Sequence, residues 1–212
     1  MRKILATGLV ITSLGLLTYV YAFKKEEAPL RSGDVIFQTS MSPQCQAVRL
    51  ATHSRFSHCG MIWKIDNKDY VLEAVQPVKI TPLDEWISHG DGKKYVVRRL
   101  KNADKVLTDK VLSEMEAEGK KMIGKPYDGY FEWSDDRIYC SELIWKIYKR
   151  AAGVAVGRLQ KIKDFDLSSG PVKEIIRERY GDNLPINETV ISPQSIYESS
   201  LFVTVRSKYG EK

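Results

Sequence analysis

The chain is poor in the residues from which metal and redox sites are built. Its 212 residues include three cysteines and three histidines, and no C-x-x-C or H-x-x-x-H pair occurs among them. Zinc sites are typically built on such closely spaced pairs. A glycine-rich nucleotide-binding motif is missing as well. The sequence therefore predicts chemistry carried by the protein's own side chains, with no metal and no cofactor.

A strong excess of one sign of charge is also missing. The 33 basic and 27 acidic residues give a formal charge of +6, and both signs are mixed along the chain. Nucleic-acid-binding proteins usually gather basic residues into a patch or stripe, so we expect no nucleic-acid partner. The small positive balance is compatible with weak attraction to anionic polymers or lipids of a cell envelope.

The sequence has one long uncharged stretch, and it lies at the N-terminus. Residues 4–23 carry no charge and follow Arg2 and Lys3. This pattern is typical of a secretory signal, and its length also suffices to span a bilayer. The run Val20-Tyr21-Ala22 favours cleavage after Ala22, with a retained membrane anchor as the alternative. Either way, we expect the protein to be exported, to the periplasm or another extracytoplasmic space.

The remaining sequence predicts one α+β domain. We expect residues 1–23 to form the signal peptide or anchor, 24–30 a linker and 31–212 the domain. Strand patterns lie within residues 32–38 and at 58–65, 70–75 and 95–100, with a polar turn at 66–69. Helix patterns lie at 41–54, 81–90 with Thr81 as the cap, 105–123, from Cys140 onward, and at 172–180, and a closing helix and strand at 193–205. The hairpin-length connections favour a mostly antiparallel sheet packed with helices over a doubly wound parallel sheet.

Cys140 is the main candidate for a catalytic nucleophile. It opens an amphipathic segment in which Leu143, Ile144 and Ile147 repeat at helical spacing. In the first turn of a helix, unpaired backbone N–H groups and the helix dipole favour a thiolate. A nucleophilic cysteine also needs a base, and His58 stands at the start of a predicted strand. The other two histidines rank lower, because they lie at a predicted helix end and before a glycine-rich turn.

Two further side chains are candidates for this site. Glu73 interrupts an apolar strand that would pair with the strand of His58, so it could fix the imidazole. Tyr127 follows the turn at Gly124 and Pro126 and could donate a hydrogen bond to an oxyanion, beside the backbone N–H of Cys140. Taken singly, each of these residues would more often be structural, and the prediction depends on their combination.

The other two cysteines are expected to be structural. Cys59 directly follows His58, so strand alternation should point its thiol away from the face that carries the histidine. A Cys45–Cys59 disulfide with Cys140 free is one possibility, and two separately buried thiols are the other. If Cys59 instead faced the site, the identity of the reactive thiol would be in doubt.

Five segments resemble a known family of enzymes. They read GDVIF (33–37), ATHSRFSHCGM (51–61), EAVQPVK (73–79), GKPYD (124–128) and WSDDRIYCSE (133–142). Together they resemble the YiiX and YaeF branch of the permuted papain-like, NlpC-related hydrolases, over nearly the whole chain after residue 30. The histidine precedes the cysteine here, as the permuted order requires. The resemblance implies a circularly permuted papain-like α+β fold in which Cys140 matches the nucleophile, His58 the base, Glu73 the third catalytic position and Tyr127 a tyrosine near the nucleophile.

These observations together predict an exported cysteine amidase or peptidase. We expect its substrate to be an amide of the cell envelope, such as a peptide bond of peptidoglycan. One alternative is an acyl hydrolase or acyltransferase that acts on lipids, because related permuted enzymes resemble lecithin:retinol acyltransferase. A second alternative is an envelope-binding module that keeps the fold without turnover. The sequence predicts neither the particular substrate nor the oligomeric state.

Overall fold

The structure is a computed structural model, and it describes residues 27–209. The predicted signal peptide or anchor, and the first residues of the predicted linker, lie outside the described residues. In the described range, no helix combines the length and the apolar character that a membrane crossing requires. All three cysteines in this range are free thiols.

The centre of the domain is an antiparallel sheet. Eight strands occur in the described part of the chain: β1 (Val35–Gln38), β2 (His58–Ile65), β3 (Lys68–Glu73), β4 (Lys79–Pro82), β5 (Tyr95–Leu100), β6 (Gln160–Lys161), β7 (Thr189–Val190) and β8 (Phe202–Ser207). Six of them form one sheet in the order β4-β3-β2-β1-β5-β8, and every neighbouring pair is antiparallel. Strands β6 and β7 pair separately. The predicted mostly antiparallel α+β architecture is confirmed.

Helices precede, interrupt and follow the strands of this sheet. The α-helices in residues 27–209 are α1 (Pro43–Thr52), α2 (Leu83–Ser88), α3 (Ala103–Val106), α4 (Asp109–Met122), α5 (Cys140–Ala152), α6 (Gly170–Tyr180) and α7 (Pro193–Tyr197). Helix α5 packs against β2, α4 and α7, and α1 packs against α6. The helix that begins at Cys140 therefore lies directly on the strand that begins at His58.

Several predicted elements differ from the structure in their bounds or continuity. The helix predicted at 105–123 is divided into α3 and α4, because Thr108 is extended and its side chain caps α4 by accepting from Val111 N–H. The turn before β3 needs only Asp66 and Asn67, both with positive φ, so β3 starts at Lys68. Strand β3 ends at Glu73, two residues before the predicted end.

The predicted helix cap at Thr81 is wrong. Thr81 belongs to β4, a strand that was not predicted, and it pairs with Val71. Pro82 occupies the cap position of α2 instead, without a side-chain hydrogen bond. The hydroxyl of Thr81 is consequently free to bond within the sheet, where it reaches the candidate site.

Each face of the sheet carries its own core. On one face, Cys59, Met61 and Trp63 of β2 join a large apolar cluster with the buried side of α5. On the other face, Ile62 packs in a smaller cluster around Trp86 of α2. This division follows the alternation of side chains along a strand. His58 is the first residue of β2, so it lies at one end of the sheet. Helix α5, which begins at Cys140, packs against this strand.

Candidate active site

Cys140 is held at the start of α5 by hydrogen bonds on both sides of it. Tyr139 is extended, and its N–H donates to the Glu142 carboxylate at 3.3 Å. The hydroxyl of Tyr139 accepts from Ile191 N–H at 3.0 Å, and the hydroxyl of Ser141 donates to Ile191 O at 2.7 Å. The backbone N–H groups of this first turn have no partner within the helix. They therefore favour negative charge on the sulfur, as the sequence predicts.

His58 and Glu73 face each other across the β2–β3 hairpin. His58 is the first residue of β2 and Glu73 the last of β3, so the antiparallel pairing brings these strand ends together. His58 Nε2 and Glu73 Oε2 are 2.7 Å apart, and both side chains are buried. Gly60 lies between them on the same face, and a Cβ there would come within 2.3 Å of the Val71 side chain. The contact therefore requires both the register of the hairpin and a residue without a side chain.

Two residues that the sequence did not assign to the site complete this contact. Thr81 donates a hydrogen bond to the second carboxylate oxygen of Glu73 at 2.6 Å. The ring of Trp86 is stacked on the His58 ring, with centroids 5.7 Å apart and planes 26° from parallel. Since Nε2 of His58 is occupied by Glu73, Nδ1 is the ring nitrogen left to face Cys140, the other hydrogen-bond partner of this side chain.

The pKa values of these groups shift in opposite directions. Burial lowers the pKa of His58, but hydrogen bonds to Cys140 and Glu73 outweigh it and raise that pKa to about 10. A hydrogen bond from Cys59 and, against the effect of burial, the hydrogen bond and charge of His58 hold the pKa of Cys140 well below its ordinary value. Burial raises the pKa of Glu73. The hydrogen bond and charge of His58, together with the hydrogen bond from Thr81, outweigh burial and lower this pKa. These shifts favour a thiolate, an imidazolium and a carboxylate in sequence.

Cys59 is a buried neighbour of Cys140, but it does not line the cavity beside Cys140. Its side chain does lie on the opposite face of β2 from His58, as alternation requires. Cys140 lies at the end of the sheet, however, and the neighbouring side chain and backbone N–H of Cys59 lower the pKa of Cys140. Burial, together with the neighbouring Cys140, raises the pKa of Cys59 well above its ordinary value. These shifts favour the neutral thiol at Cys59 and the thiolate at Cys140.

Tyr127 lies beside Cys140, on the wall of the same cavity. Its backbone N–H donates to Gln76 Oε1 at 2.6 Å, and its hydroxyl oxygen accepts from Gln44 Nε2 at 2.6 Å. Burial first, and then the neighbouring Cys140 charge, raise the pKa of Tyr127 well above its ordinary value. Its hydroxyl therefore keeps its proton and is available as a donor.

The cavity next to Cys140 is apolar. It has a volume of about 130 Å³ and lies between α1, α6 and the segments around Phe165 and Ile191. Its walls include Val48, Phe131, Val172 and Ile176. Cys140 lines this cavity, whereas Cys59 does not. Of the two neighbouring sulfurs, that of Cys140 is the one open to a ligand.

The other two histidines lie elsewhere. His53 ends α1 with a positive φ, and its exposed ring is 3.3 Å from the Asp166 carboxylate. His89 is an exposed residue after α2. In the described chain, the histidine that contacts Cys140 is His58, the one that the sequence ranks first.

An antiparallel sheet that presents a histidine and a glutamate to a cysteine at the start of a packed helix, with the histidine earlier in the chain, defines a circularly permuted papain-like cysteine hydrolase. Residues 29–205 match the family described as "Permuted papain-like amidase enzyme, YaeF/YiiX, C92 family". The chain belongs to this family of amidases.

Two relatives are similar over most of their length. The uncharacterized protein YiiX of Escherichia coli strain K12 is 47% identical over 196 residues, which are 92% of this chain and 94% of that protein. The crystal structure of YiiX from Escherichia coli O157:H7 has a TM-score of 0.81 and 48% identity, and covers 85% of this chain and 98% of that one. That structure is described as one of a metalloprotein.

Proposed function

We propose that this amidase is exported and cleaves an amide bond of an envelope substrate, with Cys140 as nucleophile, His58 as base and Glu73 as the group that orients His58. The observation that carries the proposal is the buried contact of 2.7 Å between His58 Nε2 and Glu73 Oε2, beside Cys140 at the start of α5. The pKa shifts of the three groups favour a thiolate, an imidazolium and a carboxylate. A thiolate paired with an imidazolium has both the nucleophile and the proton that amide cleavage requires.

In the first half of the reaction, the Cys140 sulfur attacks the carbonyl carbon of the amide. The carbonyl oxygen becomes an oxyanion, which accepts hydrogen bonds from the Tyr127 hydroxyl and the Cys140 backbone N–H. His58 then gives its proton to the amide nitrogen, the carbon–nitrogen bond breaks and an amine leaves. The products of this half-reaction are a thioester on Cys140 and a neutral His58.

In the second half, water replaces the amine. His58 takes a proton from the water molecule, and the resulting hydroxide attacks the thioester carbonyl. The carbon–sulfur bond breaks, a carboxylic acid leaves, and Cys140 and His58 return to the thiolate and imidazolium. Throughout both halves, the hydrogen bond from His58 to Glu73 at 2.7 Å holds the ring so that Nδ1 faces the sulfur.

The relative described as a metalloprotein raises the question of a metal here. Within residues 27–209, no group of three or more histidine, cysteine, aspartate or glutamate side chains is placed to hold a metal ion. Cys140, His58 and Glu73 are already hydrogen-bonded to one another. The described residues do not fit a metal, and the steps above use protein groups alone.

Export is supported by the first residues of the sequence, where Arg2 and Lys3 precede the uncharged residues 4–23. When the full chain is expressed in a bacterium with a periplasm, we expect osmotic shock to release a protein that begins at Phe23, as found by N-terminal sequencing. The variant Leu14→Arg should stay in the cytoplasm, because a charge in the apolar run blocks the signal. A full-length protein in the membrane fraction would favour the anchor, and a full-length protein in the cytosol would contradict export.

The apolar cavity supports a second candidate, an enzyme that removes an acyl chain from a lipid or an N-acyl amide. Peptides of peptidoglycan are polar, whereas the wall beside Cys140 is formed largely by side chains such as Val48, Val172 and Ile176. Each CH₂ group buried in such a cavity contributes about 0.8 kcal/mol. A bound alkyl chain would therefore gain affinity from length, and a peptide would not.

The two substrates are distinguished by a chain-length comparison with N-butyryl and N-octanoyl p-nitroaniline. If the cavity binds an acyl chain, we expect kcat/KM to be on the order of a hundredfold higher for octanoyl, since four more CH₂ groups are buried. Ile176→Trp, which fills the cavity, should remove this preference, and Val203→Trp at an exposed position of β8 should keep it. Release of new amino groups from a muropeptide digest, without any octanoyl preference, would favour the peptide.

A further inference from the structure

Two polar side chains connect Tyr127 to the helices on either side of the cavity. Gln44 of α1 donates from Nε2 to the Tyr127 hydroxyl at 2.6 Å. Arg179 of α6 donates from Nη2 to Gln44 Oε1 at 2.5 Å, and from Nη1 to Gly129 O, two residues after Tyr127. The guanidinium also lies 5.8 Å from the centre of the Phe131 ring. These contacts form a continuous series from Arg179 through Gln44 to Tyr127.

Arg179 determines which way the Gln44 amide points. A guanidinium has donors and no acceptor, so the atom of Gln44 that faces it must be the oxygen. The amide nitrogen is then the atom that faces Tyr127. An amide nitrogen only donates, so the Tyr127 oxygen must accept this bond, and its own O–H hydrogen cannot be used for it. The direction of every hydrogen bond in the series is thus set by the charge at its end.

The hydroxyl hydrogen of Tyr127 is left for a partner in the cavity. Cys140 lines the same cavity, and the carbonyl that its sulfur attacks would lie within reach of the tyrosine. A donor that is fixed before the reaction stabilises an oxyanion without reorganisation. Hydrogen bonds in series also polarise one another, which strengthens the last donor.

We propose that Gln44 and Arg179 are positioning residues that orient the Tyr127 hydroxyl as a donor to the oxyanion formed at Cys140. This assignment rests on the proposed function and adds two residues to it. Both are partly buried, on helices that pack against each other. Neither is a candidate from the sequence, because they are separated by 135 positions and belong to no motif of titratable residues.

The test uses Gln44→Glu, which keeps the shape of the side chain and reverses the bond. A carboxylate pairs with Arg179 but cannot donate, so the Tyr127 hydroxyl would donate to it and leave the oxyanion without this bond. We expect kcat for p-nitrophenyl butyrate to fall at least tenfold with little change in KM. Removal of one oxyanion donor typically lowers kcat roughly a hundredfold, which sets the scale for this loss. Arg179→Met should reduce kcat as well, because it releases the amide.

The matched control is Gln46→Glu, the same substitution at an exposed position of α1, which should keep the wild-type rate. Alkylation of Cys140 by iodoacetamide forms no oxyanion, so its rate should stay within about twofold in Gln44→Glu. In a Tyr127→Phe background, Gln44→Glu should cause no further loss, because the two changes remove the same bond. A merely structural role predicts instead that the two losses multiply.

Two results would overturn the assignment in different ways. If Gln44→Glu keeps the full rate while Cys140→Ala is inactive, the proposed function stands and the assignment of Gln44 and Arg179 fails. If the wild-type protein hydrolyses p-nitrophenyl butyrate no faster than Cys140→Ala does, the proposed function fails and the assignment fails with it.

Discussion

Replacement of Cys140 by alanine is expected to lower kcat for amide hydrolysis by a factor of about 10⁴ or more, because removal of a covalent nucleophile typically has effects of this size or larger. The physical reason is that, among the residues that line the cavity, Cys140 is the one cysteine. Cys140 lines the cavity and has a lowered pKa, whereas Cys59 has a raised pKa and does not line it. The measurement is the rate of product release under single-turnover conditions.

The control for this experiment is Cys59→Ala. It removes a side chain that lowers the pKa of Cys140, so this pKa should rise, and hydrolysis at pH 6 should fall by about tenfold for each unit of that rise above pH 6. At pH 8 much of the activity should return, because the thiolate re-forms as the pH approaches an ordinary thiol pKa of about 8.5. An inactive Cys59→Ala together with an active Cys140→Ala would show that Cys59 is the nucleophile.

The second large effect is expected for His58→Gln, measured as alkylation of Cys140 by iodoacetamide. Glutamine keeps a donor for the buried carboxylate of Glu73 but cannot carry a charge, so the thiolate loses its cation. The pKa of Cys140 should then rise toward its ordinary range. At pH 6 we expect alkylation to slow by between about tenfold and a hundredfold, because few of the thiols are ionised a unit or more below their pKa.

The dependence of the alkylation rate on pH shows in which direction the pKa of Cys140 has moved. In the wild-type protein the pKa of Cys140 is lowered and that of His58 is raised to about 10. The lowered pKa of Cys140 extends the ion pair below the ordinary thiol range, and the pKa of His58 sets its upper limit at about pH 10. We therefore expect the alkylation rate to be nearly constant between pH 6 and 8. In His58→Gln the rate should rise about tenfold per pH unit over the same range.

Variants of the exposed histidines are the matched controls. His53→Ala and His89→Ala should keep the flat wild-type profile, since both rings are exposed. Thermal unfolding followed by circular dichroism checks that His58→Gln is folded. A folded His58→Gln with a flat profile and the full alkylation rate would remove His58 from the activation of Cys140.

The order of elements and the three central residues were predictable because their signals are local. The helix that starts at Cys140 follows from apolar residues at helical spacing, and the pairing of His58 with Glu73 follows from a hairpin whose turn is polar. The break at Thr108 was not predicted, because the apolar pattern continues through it and only the capping bond to Val111 reveals it.

The residues that surround these three were not predictable for a different reason. A threonine before a proline is a common helix start, so the sequence predicts Thr81 as a helix cap. In the structure its strand pairs with β3 and turns its hydroxyl to Glu73. Alternation correctly predicts that Cys59 and His58 lie on opposite faces of β2, but it does not predict that Cys140, at the end of the sheet, neighbours both residues. Trp86, which stacks on His58, had only the signal of an aromatic residue in a short helix.

The sequence by itself therefore determined the fold class, the permuted order of histidine and cysteine, and the candidates for the reacting side chains. These depend on hydrophobic periodicity, turn residues and helix starts, each of which is written in a few neighbouring positions. The tertiary structure alone decided that Cys59 and Cys140 are neighbours, what holds Glu73 and Tyr127, and that the wall beside Cys140 is apolar. Those properties arise from contacts between segments far apart in the chain, because burial and hydrogen-bond direction depend on every element that packs around a group.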